Sequence, residues 1–331
     1  MKIDVLSLNG VFDTGLAAVL DAFATAGELA TAQRLTSVTF DVSLIGVRPQ
    51  VRTNQGFTVP VLPADDRAPA DWVIVPAISD RTPEPLTAAL ATPEAQAAAR
   101  LLRQWADGGA RVAAACIGTF IAAESGVLDG ETATTTWWLA PFFRQRYPRI
   151  RLDEKRMLVP SGRVLTAGAA LGHMDMALWL IRRVSPLLAE ATARYLIVDS
   201  RPSQSAYAIS DHLAQADPLV QRFERWARDR LANGFSLDEA AHAVGASKRT
   251  LTRRINSVLG RSPLSYFQDL RVERAVHLLR TSNDTVEKIA AAVGYADGVV
   301  LRNLIRRKLG RGVREIRSKR AAGTRRTDVE D

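Results

Sequence analysis

The chain contains 331 residues, of which 47% are hydrophobic and 24% are charged, and this composition is typical of a folded protein with more than one domain. Its single cysteine excludes an intramolecular disulfide and a cysteine-built zinc site, and its four histidines lack metal-ligand spacing. We therefore expect no metal and no cofactor. Residues 219–331 hold 24 Lys and Arg against 13 Asp and Glu, whereas residues 1–218 hold 20 against 22. This basic excess predicts that the last third binds nucleic acid or an acidic membrane surface.

Strand-like and helical segments alternate over the first two hundred residues. The predicted strands are 3–8, 38–45, 71–77 and 111–116, with a hairpin of 156–159 and 163–167. The predicted helices are 15–26, 93–105, 117–125, 171–184 and 186–196. This alternation predicts a flavodoxin-like α/β sandwich around a mostly parallel sheet.

The N-terminal sequence lacks the features of a signal peptide, and no stretch reaches the roughly 18 uncharged apolar residues of a membrane span. We expect a cytoplasmic protein without membrane contact. The pattern of apolar residues fades over 200–216, which we assign to a linker between an N-terminal domain, 1–199, and an all-α C-terminal domain, 217–320. The polar tail, 321–331, is predicted to be disordered.

The C-terminal domain contains two similar pairs of helices. In the first pair, Ser236 begins a capping box before a short helix over 237–244, and Ser247 caps a second helix over 248–259. In the second pair, Thr285 caps a helix over 286–293, and Asp297 caps one over 298–309. A glycine-containing turn joins the helices of each pair, and the second helix has an apolar face and a basic face. This arrangement predicts two helix-turn-helix units.

The basic face of the second helix in each unit is the predicted contact surface for double-stranded DNA. Arginines early in these helices are candidates to read base edges, and later ones such as Arg254, Arg306 and Arg307 are candidates to contact phosphates. The predicted DNA-binding residues are Lys248, Arg249, Thr250, Arg253, Arg254, Arg302, Asn303, Arg306 and Arg307. The alternative is that these charges only solvate a surface helix. Two such units on a strongly basic segment argue against that alternative.

Several motifs of this segment are similar to those of AraC-type transcription regulators. The matching motifs are Ser247-Lys-Arg249-Thr-Leu251-Thr-Arg253, Gly260-Arg-Ser262-Pro263, Arg271-Val-Glu-Arg274-Ala275, Leu278-Leu279, and Ile289-Ala290 followed by Gly294-Tyr295. The second unit departs from the family by having Val299-Val300-Leu301 where many members carry a serine and an aromatic residue, and it lacks the usual proline after Gly310. The resemblance implies sequence-specific DNA binding, and the departures imply weaker or different base contacts by the second unit.

The stretch Ala113-Ala-Ala-Cys116-Ile-Gly118 leads from a buried strand directly into a helix, as in a nucleophile elbow. Residues 3–200 resemble the PfpI-type, class I glutamine amidotransferase-like domain, in the form that is fused to AraC-type domains. The supporting stretches are 71–76, the elbow, Gly126-Val-Leu-Asp-Gly130, Ala133-Thr-Thr-Thr-Trp137 and Thr166-Ala-Gly168-Ala. Enzymes of this fold use a histidine downstream of the cysteine as the base, and the matching position here is Thr136. A threonine hydroxyl cannot accept a proton near neutral pH as an imidazole does.

We therefore predict a non-catalytic N-terminal domain, with no catalytic residues, that senses a small-molecule effector or forms a homodimer. RNA polymerase is a further candidate partner. A ligand pocket is predicted beyond the carboxyl ends of the strands, and its candidate residues are Asp13, Ala77, Cys116, Ile117, Thr136 and Gly168. Three alternatives stay open: Cys116 is only a small buried residue, the domain is a cysteine-dependent amidase or deglycase-like hydrolase fused to a DNA-binding domain, or it is a dimerisation module without a ligand.

Overall fold

The computed structural model describes residues 1–35, 37–64, 70–78, 82–199, 201, 203–204, 217–309 and 312–317. The chain divides into two compact units, Met1–Ala208 and Ile209–Asp331. Most of the predicted linker, 200–216, and the whole predicted tail, 321–331, lie outside the described residues. Arg201, Ser203 and Gln204 of that linker are described, and all three form hydrogen bonds within the N-terminal unit.

The N-terminal unit is built on a seven-stranded sheet. The described strands of the whole unit run over β1 Lys2–Leu6, β2 Asp41–Gly46, β3 Gln50–Arg52, β4 Thr58–Pro60, β5 Leu62–Pro63, β6 Trp72–Val75, β7 Arg111–Ala115, β8 Thr132–Ala133, β9 Arg151–Leu152, β10 Leu158–Ser161 and β11 Val164–Ala167. The strand order in the main sheet is β10-β11-β7-β6-β1-β2-β5. Neighbouring strands are parallel except β10 and β11, which form the predicted antiparallel hairpin. The pairs β3–β4 and β8–β9 lie outside this sheet.

Helices cover both faces of the sheet. They run over α1 Asp13–Ala32, α2 Pro83–Leu90, α3 Pro93–Asp107, α4 Gly118–Glu124, α5 Ala140–Arg146, α6 Gly172–Val184 and α7 Pro186–Tyr195, with a 3-10 turn over Trp137–Leu139. Successive side chains of a strand point to opposite faces, so Val73 and Val75 enter one core with α2 to α5. Trp72 and Ile74 enter the other core with α1, α6 and α7. The predicted α/β sandwich is confirmed.

Helix α1 is long and apolar enough to cross a membrane by length and composition alone, which the sequence analysis did not expect. Its buried residues include Leu16, Val19 and Phe23, which join the core beneath β1 and β6. The helix also packs against α6 and α7. Packing inside the unit thus accounts for its apolar composition.

Helix α2 was missed by the sequence analysis. It follows Thr82, has proline at its first position, and buries only Leu86 and Leu90. Two apolar residues one turn apart repeat the helical spacing only once, which is too little to distinguish a helix from a loop. Strand β2 begins at Asp41 rather than at residue 38 as predicted, and Val38 instead closes a turn through a hydrogen bond from its N–H to the Leu35 carbonyl.

The C-terminal unit is helical, as predicted. Its helices run over α8 Pro218–Asp229, α9 Leu237–Ala243, α10 Lys248–Leu259, α11 Pro263–Thr281, α12 Val286–Ala292 and α13 Gly298–Leu309. A side chain before each helix accepts a hydrogen bond from a backbone N–H of the first turn, which confirms the caps predicted at Ser236, Ser247, Thr285 and Asp297. These caps are Asp217, Ser236, Ser247, Ser262, Thr285 and Asp297.

Two clusters of apolar side chains hold the helix pairs together. Aromatic rings of α8, α11 and the α8–α9 connection pack beside the first pair, including Phe223, Phe235 and Phe267. Ile289 and Leu301 belong to a second buried cluster, in which α12 and α13 pack on the end of α11. Gly245 and Gly294 lie in the turns of the two pairs with φ of +67° and +79°, the left-handed conformation that glycine adopts without steric cost.

Candidate functional site

Helix α10 presents a basic face to solvent. Its apolar residues Leu251, Ile255 and Leu259 are buried in the unit, so the opposite side is exposed. Arg249 and Arg253 are exposed, and neither forms an ion pair with a carboxylate among the described residues. A shallow cleft of about 540 Å³ runs along this face. Its lining residues are Lys248, Arg249, Thr252, Arg253 and Asn256.

Other predicted DNA-binding residues of α10 already have partners. Lys248 Nζ lies 2.8 Å from Asp238 Oδ1 at the surface, and Thr250 Oγ1 accepts a hydrogen bond from the Ser247 hydroxyl at 2.9 Å. Arg254 Nη2 lies 2.7 Å from Oδ2 of Asp217, whose side chain is only 5% exposed. Since Asp217 caps α8, Arg254 fastens α10 to the start of that helix.

Helix α13 has a similar division between buried and exposed faces. Leu301, Leu304 and Ile305 are buried, while the predicted DNA-binding residues Arg302, Asn303, Arg306 and Arg307 are exposed. Arg302 pairs with Glu287 of α12 at 2.7 Å. A backbone hydrogen bond and this arginine hold the pKa of the Glu287 carboxyl below its ordinary value. The side chains of Val299 and Val300 are 58% and 46% exposed at the start of the helix.

Arg271 of α11 links the end of α8 to the turn of the second helix-turn-helix unit. Its Nε donates a hydrogen bond to the Leu231 carbonyl at 2.9 Å. Its guanidinium lies 4.8 Å from the ring centroid of Phe267 and 5.0 Å from that of Tyr295. A side chain at Gly294 would overlap this guanidinium. From the sequence, Arg271 belongs to a family motif and has no assigned role. Its contacts show that it orients the turn that precedes α13.

In the N-terminal unit, Cys116 forms the predicted elbow between β7 and α4. Its φ of +55° is left-handed, a conformation that costs energy for a residue with a side chain. The Cys116 N–H donates to the Ala167 carbonyl at 2.8 Å, and the residue is buried. A Cβ at Gly118 would overlap the Val75 carbonyl oxygen and lie 2.6 Å from that of Pro76. The elbow therefore requires glycine at that position.

The threonines after β8 lie beside the elbow. The Thr135 hydroxyl donates to the Cys116 carbonyl at 2.8 Å, so it is Thr135, not Thr136, that bonds to the elbow. Thr136 is fully buried, and its hydroxyl has no hydrogen-bond partner within the described parts of the chain. The buried hydroxyl of Thr119, three residues after the cysteine, likewise has no hydrogen-bond partner among the described residues.

His173 of α6 reaches the same edge of the sheet from a distant part of the sequence. The Ala77 N–H donates to its Nε2 at 3.0 Å, and its Nδ1 lies 2.7 Å from the Ala170 carbonyl, so Nδ1 carries the proton. Complete burial lowers the pKa of the ring to about 4. Because both ring nitrogens are engaged, His173 cannot act as a base toward Cys116 without breaking a hydrogen bond.

The other predicted pocket residues lie along this edge. The Phe12 N–H donates to the Ala77 carbonyl at 2.8 Å, which places Asp13 at the start of α1 next to the end of β6. One oxygen of Asp13 accepts from the Gln55 N–H at 3.0 Å, and the other is buried without a partner among the described residues. Ile117 follows Cys116 and is buried.

Gln204 was missed because the sequence analysis assigned it to the linker. It is fully buried, and its Nε2 donates to the Thr135 carbonyl at 2.8 Å and to the Thr134 hydroxyl at 3.2 Å. A Cβ at Gly168 would overlap its amide group. Gln204 therefore occupies the space beside Gly168. No sequence signal distinguishes this glutamine from its polar neighbours.

A group of three or more His, Cys, Asp or Glu side chains that could hold a metal ion does not occur within the described residues.

Comparison with known proteins finds a matching family model for the C-terminal unit and a similar fold for the N-terminal unit. Residues 227–319 match the family model of the helix-turn-helix domain. The HTH-type transcriptional regulator GbdR of Pseudomonas aeruginosa is 26% identical over 199 residues, which cover 59% of this chain and 54% of GbdR. The HTH-type transcriptional activator RhaS of Escherichia fergusonii is 39% identical over 106 residues, which cover 32% of this chain and 38% of RhaS. The chain thus spans about half the length, or less, of these two relatives.

A solved structure from Vibrio parahaemolyticus has 18% sequence identity and a TM-score of 0.50, covering 59% of this chain and 98% of that chain. This likeness concerns the fold alone. The resemblances stated from the sequence are confirmed for both parts of the chain. The C-terminal unit therefore matches a helix-turn-helix domain, joined in one chain to an N-terminal unit whose α/β fold is similar to that of the Vibrio parahaemolyticus structure.

Proposed function

We propose that the protein is a sequence-specific DNA-binding transcription regulator that acts in the cytoplasm. The observation that carries this proposal is the pair of capped helices α10 and α13, each the second helix of its unit and each with an exposed basic face. Two such helices suit successive major grooves of a duplex, about 34 Å apart. The basic excess of residues 219–331 supports the proposal because phosphate neutralisation provides much of the affinity for DNA.

The partners of the basic side chains of α10 and α13 support different roles for them in DNA binding. Arg249 is early in α10 and has no carboxylate partner within the described residues, so we expect it to read a base edge. Arg306 and Arg307 are late in α13 and are expected to contact phosphates. Arg254 was predicted to do the same, but its ion pair with Asp217 supports a second role in positioning α10.

For the N-terminal unit we propose a non-catalytic role, in which it senses a small molecule or holds a homodimer together. Unpartnered polar atoms of Thr119, Thr136 and Asp13, all buried near the carboxyl ends of β1 and β7, support a polar ligand at this edge. The hydrogen bonds of His173 argue against its use as a catalytic base. RNA polymerase remains a further proposed partner.

The left-handed backbone at Cys116 favours one second candidate, a cysteine-dependent amidase or deglycase-like hydrolase. Turnover of an amide or glycated substrate that is lost in Cys116→Ser would support this candidate. Equal background rates for wild type and Cys116→Ser would exclude it and leave the non-catalytic proposal.

The proposed function is tested by measuring DNA binding with fluorescence anisotropy, on a duplex selected from a random pool and on a scrambled duplex. Arg249→Ala is expected to weaken binding to the selected duplex by ~1–3 kcal/mol and to have little effect on the scrambled one. Arg225→Ala, which removes an exposed arginine of α8, serves as the matched control. Equal losses on both duplexes would refute the base-reading role of Arg249, and the absence of salt-dependent binding to any duplex would refute the function.

A further inference from the structure

A second cleft lies in the N-terminal unit, away from Cys116 and the neighbouring threonines. It has a volume of about 710 Å³ and is lined by the residues at the amino ends of β6, β7 and β11. These strands are parallel, so their amino ends meet at the edge of the sheet opposite to Cys116. We call it the arginine cleft, because Arg111, Arg163 and Arg183 line it.

The side chains that line the arginine cleft carry a net positive charge. None of its three arginines forms an ion pair with a carboxylate in the described parts of the chain, and all three are exposed. The Asp71 carboxylate also lines the cleft and offsets one of these charges, and its Oδ2 accepts a hydrogen bond from the Lys2 N–H at 2.8 Å. Residues 1–218 hold 20 basic and 22 acidic side chains. Three unpaired arginines around one cleft are therefore not explained by a general basic excess.

Two tryptophans hold the guanidinium groups in place. The Arg111 guanidinium lies 5.7 Å from the ring centroid of Trp72, and that of Arg183 lies 5.1 Å from the ring centroid of Trp179. The two indole rings contact each other edge to face, with centroids 6.1 Å apart. A cation–π contact of this kind occupies no N–H group of the guanidinium, so these groups can still donate hydrogen bonds. The cleft is thus partly preorganised for an acceptor.

The third arginine of the cleft, Arg163, lies in the turn between β10 and β11. Arg163 immediately precedes β11, and a Cβ at Gly109 would lie 3.6 Å from its Nη2. The guanidinium therefore reaches across to the turn that leads into β7. Gly109 has a φ of +110°, which a residue with a side chain rarely adopts.

We propose that the arginine cleft binds a small organic molecule that carries two or more negative charges, in phosphate or carboxylate groups. Guanidinium groups bind both kinds of group through paired N–H···O bonds. A volume of about 710 Å³ is that of a small-molecule site rather than of a single bound ion. The site is distinct from the proposed polar pocket near Cys116, and it gives the N-terminal unit a second ligand of different chemistry.

The proposal is tested by isothermal titration of the full chain at low ionic strength with two probes, pyrophosphate and citrate, which represent the phosphate and carboxylate sources. Saturable binding of one molecule per chain is expected for at least one probe. Arg163→Gln and Arg183→Gln are each expected to weaken it about tenfold, since each removes charge-assisted hydrogen bonds. Arg182→Gln, an exposed neighbour outside the cleft lining, is the matched control and is expected to bind as the wild type does.

Tryptophan fluorescence gives an independent readout, because Trp72 and Trp179 line the cleft. The probe is expected to change the emission of the wild type and to change that of Trp179→Phe much less. Unchanged melting temperatures of the variants would show that they fold. The proposal is overturned if neither probe binds, if Arg182→Gln weakens binding as much as Arg183→Gln, or if Arg249→Ala abolishes binding, since the probe would then occupy the DNA-binding surface.

Discussion

Burial keeps His173 neutral at physiological pH. Its pKa falls from an ordinary value of 6.5 to about 4 because the ring is completely buried. Between these two values the unfolded chain binds a proton that the folded unit excludes. The free energy of unfolding therefore decreases as the pH falls from 6.5 towards 4, and it loses about 2 kcal/mol between pH 7 and pH 5.

This pH dependence is measured by urea denaturation of the wild type and of His173→Gln at both values. Glutamine can still accept from the Ala77 N–H but does not titrate. Burial raises the pKa of the neighbouring Asp175 carboxyl, an effect of opposite sign, and it is present in both proteins. The variant is expected to lose less stability than the wild type on acidification. An identical loss in both would show that His173 does not titrate as proposed.

Several residues that define the sites could not be predicted at the residue scale, because their contacts join distant parts of the chain. His173 lies 96 residues from Ala77, and Arg271 lies 40 residues from Leu231. Helix caps are different, since a cap bonds to a backbone N–H two or three residues away. Local chemistry therefore fixed the helix starts of the C-terminal unit, while Gln204 and the arginine cleft became visible only in the folded unit.

At the scale of single elements, the junction of β7 and α4 depends on one glycine. A Cβ at Gly118 would overlap the backbone oxygen of Val75, and backbone cannot move aside as a flexible side chain can. Gly118→Ala is expected to destabilise the N-terminal unit by about 1–3 kcal/mol, the usual cost of overpacking. Gly27→Ala in α1, where a Cβ would meet nothing within 4 Å, is the control and is expected to be neutral or slightly stabilising. Equal melting temperatures for the two variants would contradict the strict need for glycine at the elbow.

The start of α13 predicts apolar base contacts. Val299 and Val300 are exposed there, whereas Arg302 is held by Glu287. Valine methyl groups can contact the C5-methyl group of thymine in the major groove. We expect Val299→Ser to reduce the preference for thymine at one position of the DNA bound by α13. The difference in binding free energy between thymine and the other bases is expected to fall by about 1 kcal/mol, the effect of losing one buried methyl-sized contact. Sequencing of DNA pools selected by the wild type, Val299→Ser and Val299→Ile measures this, and a preference that Val299→Ser leaves unchanged would contradict it.

At the scale of the whole molecule, the basic excess and the exposed basic faces of α10 and α13 lie in one unit, and the α/β sandwich lies in the other. The C-terminal unit buries its own apolar clusters, and its helix caps bond within it. It therefore contains what a folded DNA-binding fragment requires. Regulation by a ligand of the N-terminal unit would then require two states of the full chain in which the ligand makes different contacts. It would not require a change within α10 or α13.

This division predicts the outcome of limited proteolysis. We expect the first cleavages within residues 205–216, the part of the assigned linker that follows the buried Gln204, and a C-terminal fragment that keeps its affinity for DNA. Each phosphate contact contributes about −0.9 to the slope of the logarithm of the binding constant against the logarithm of salt concentration. Because the basic excess lies in residues 219–331, the fragment and the full chain are expected to give the same slope on a non-specific duplex. A clearly less steep slope for the fragment than for the full chain would mean that arginines of the N-terminal unit also contact phosphates. The arginines of the arginine cleft would then be the first candidates for these contacts.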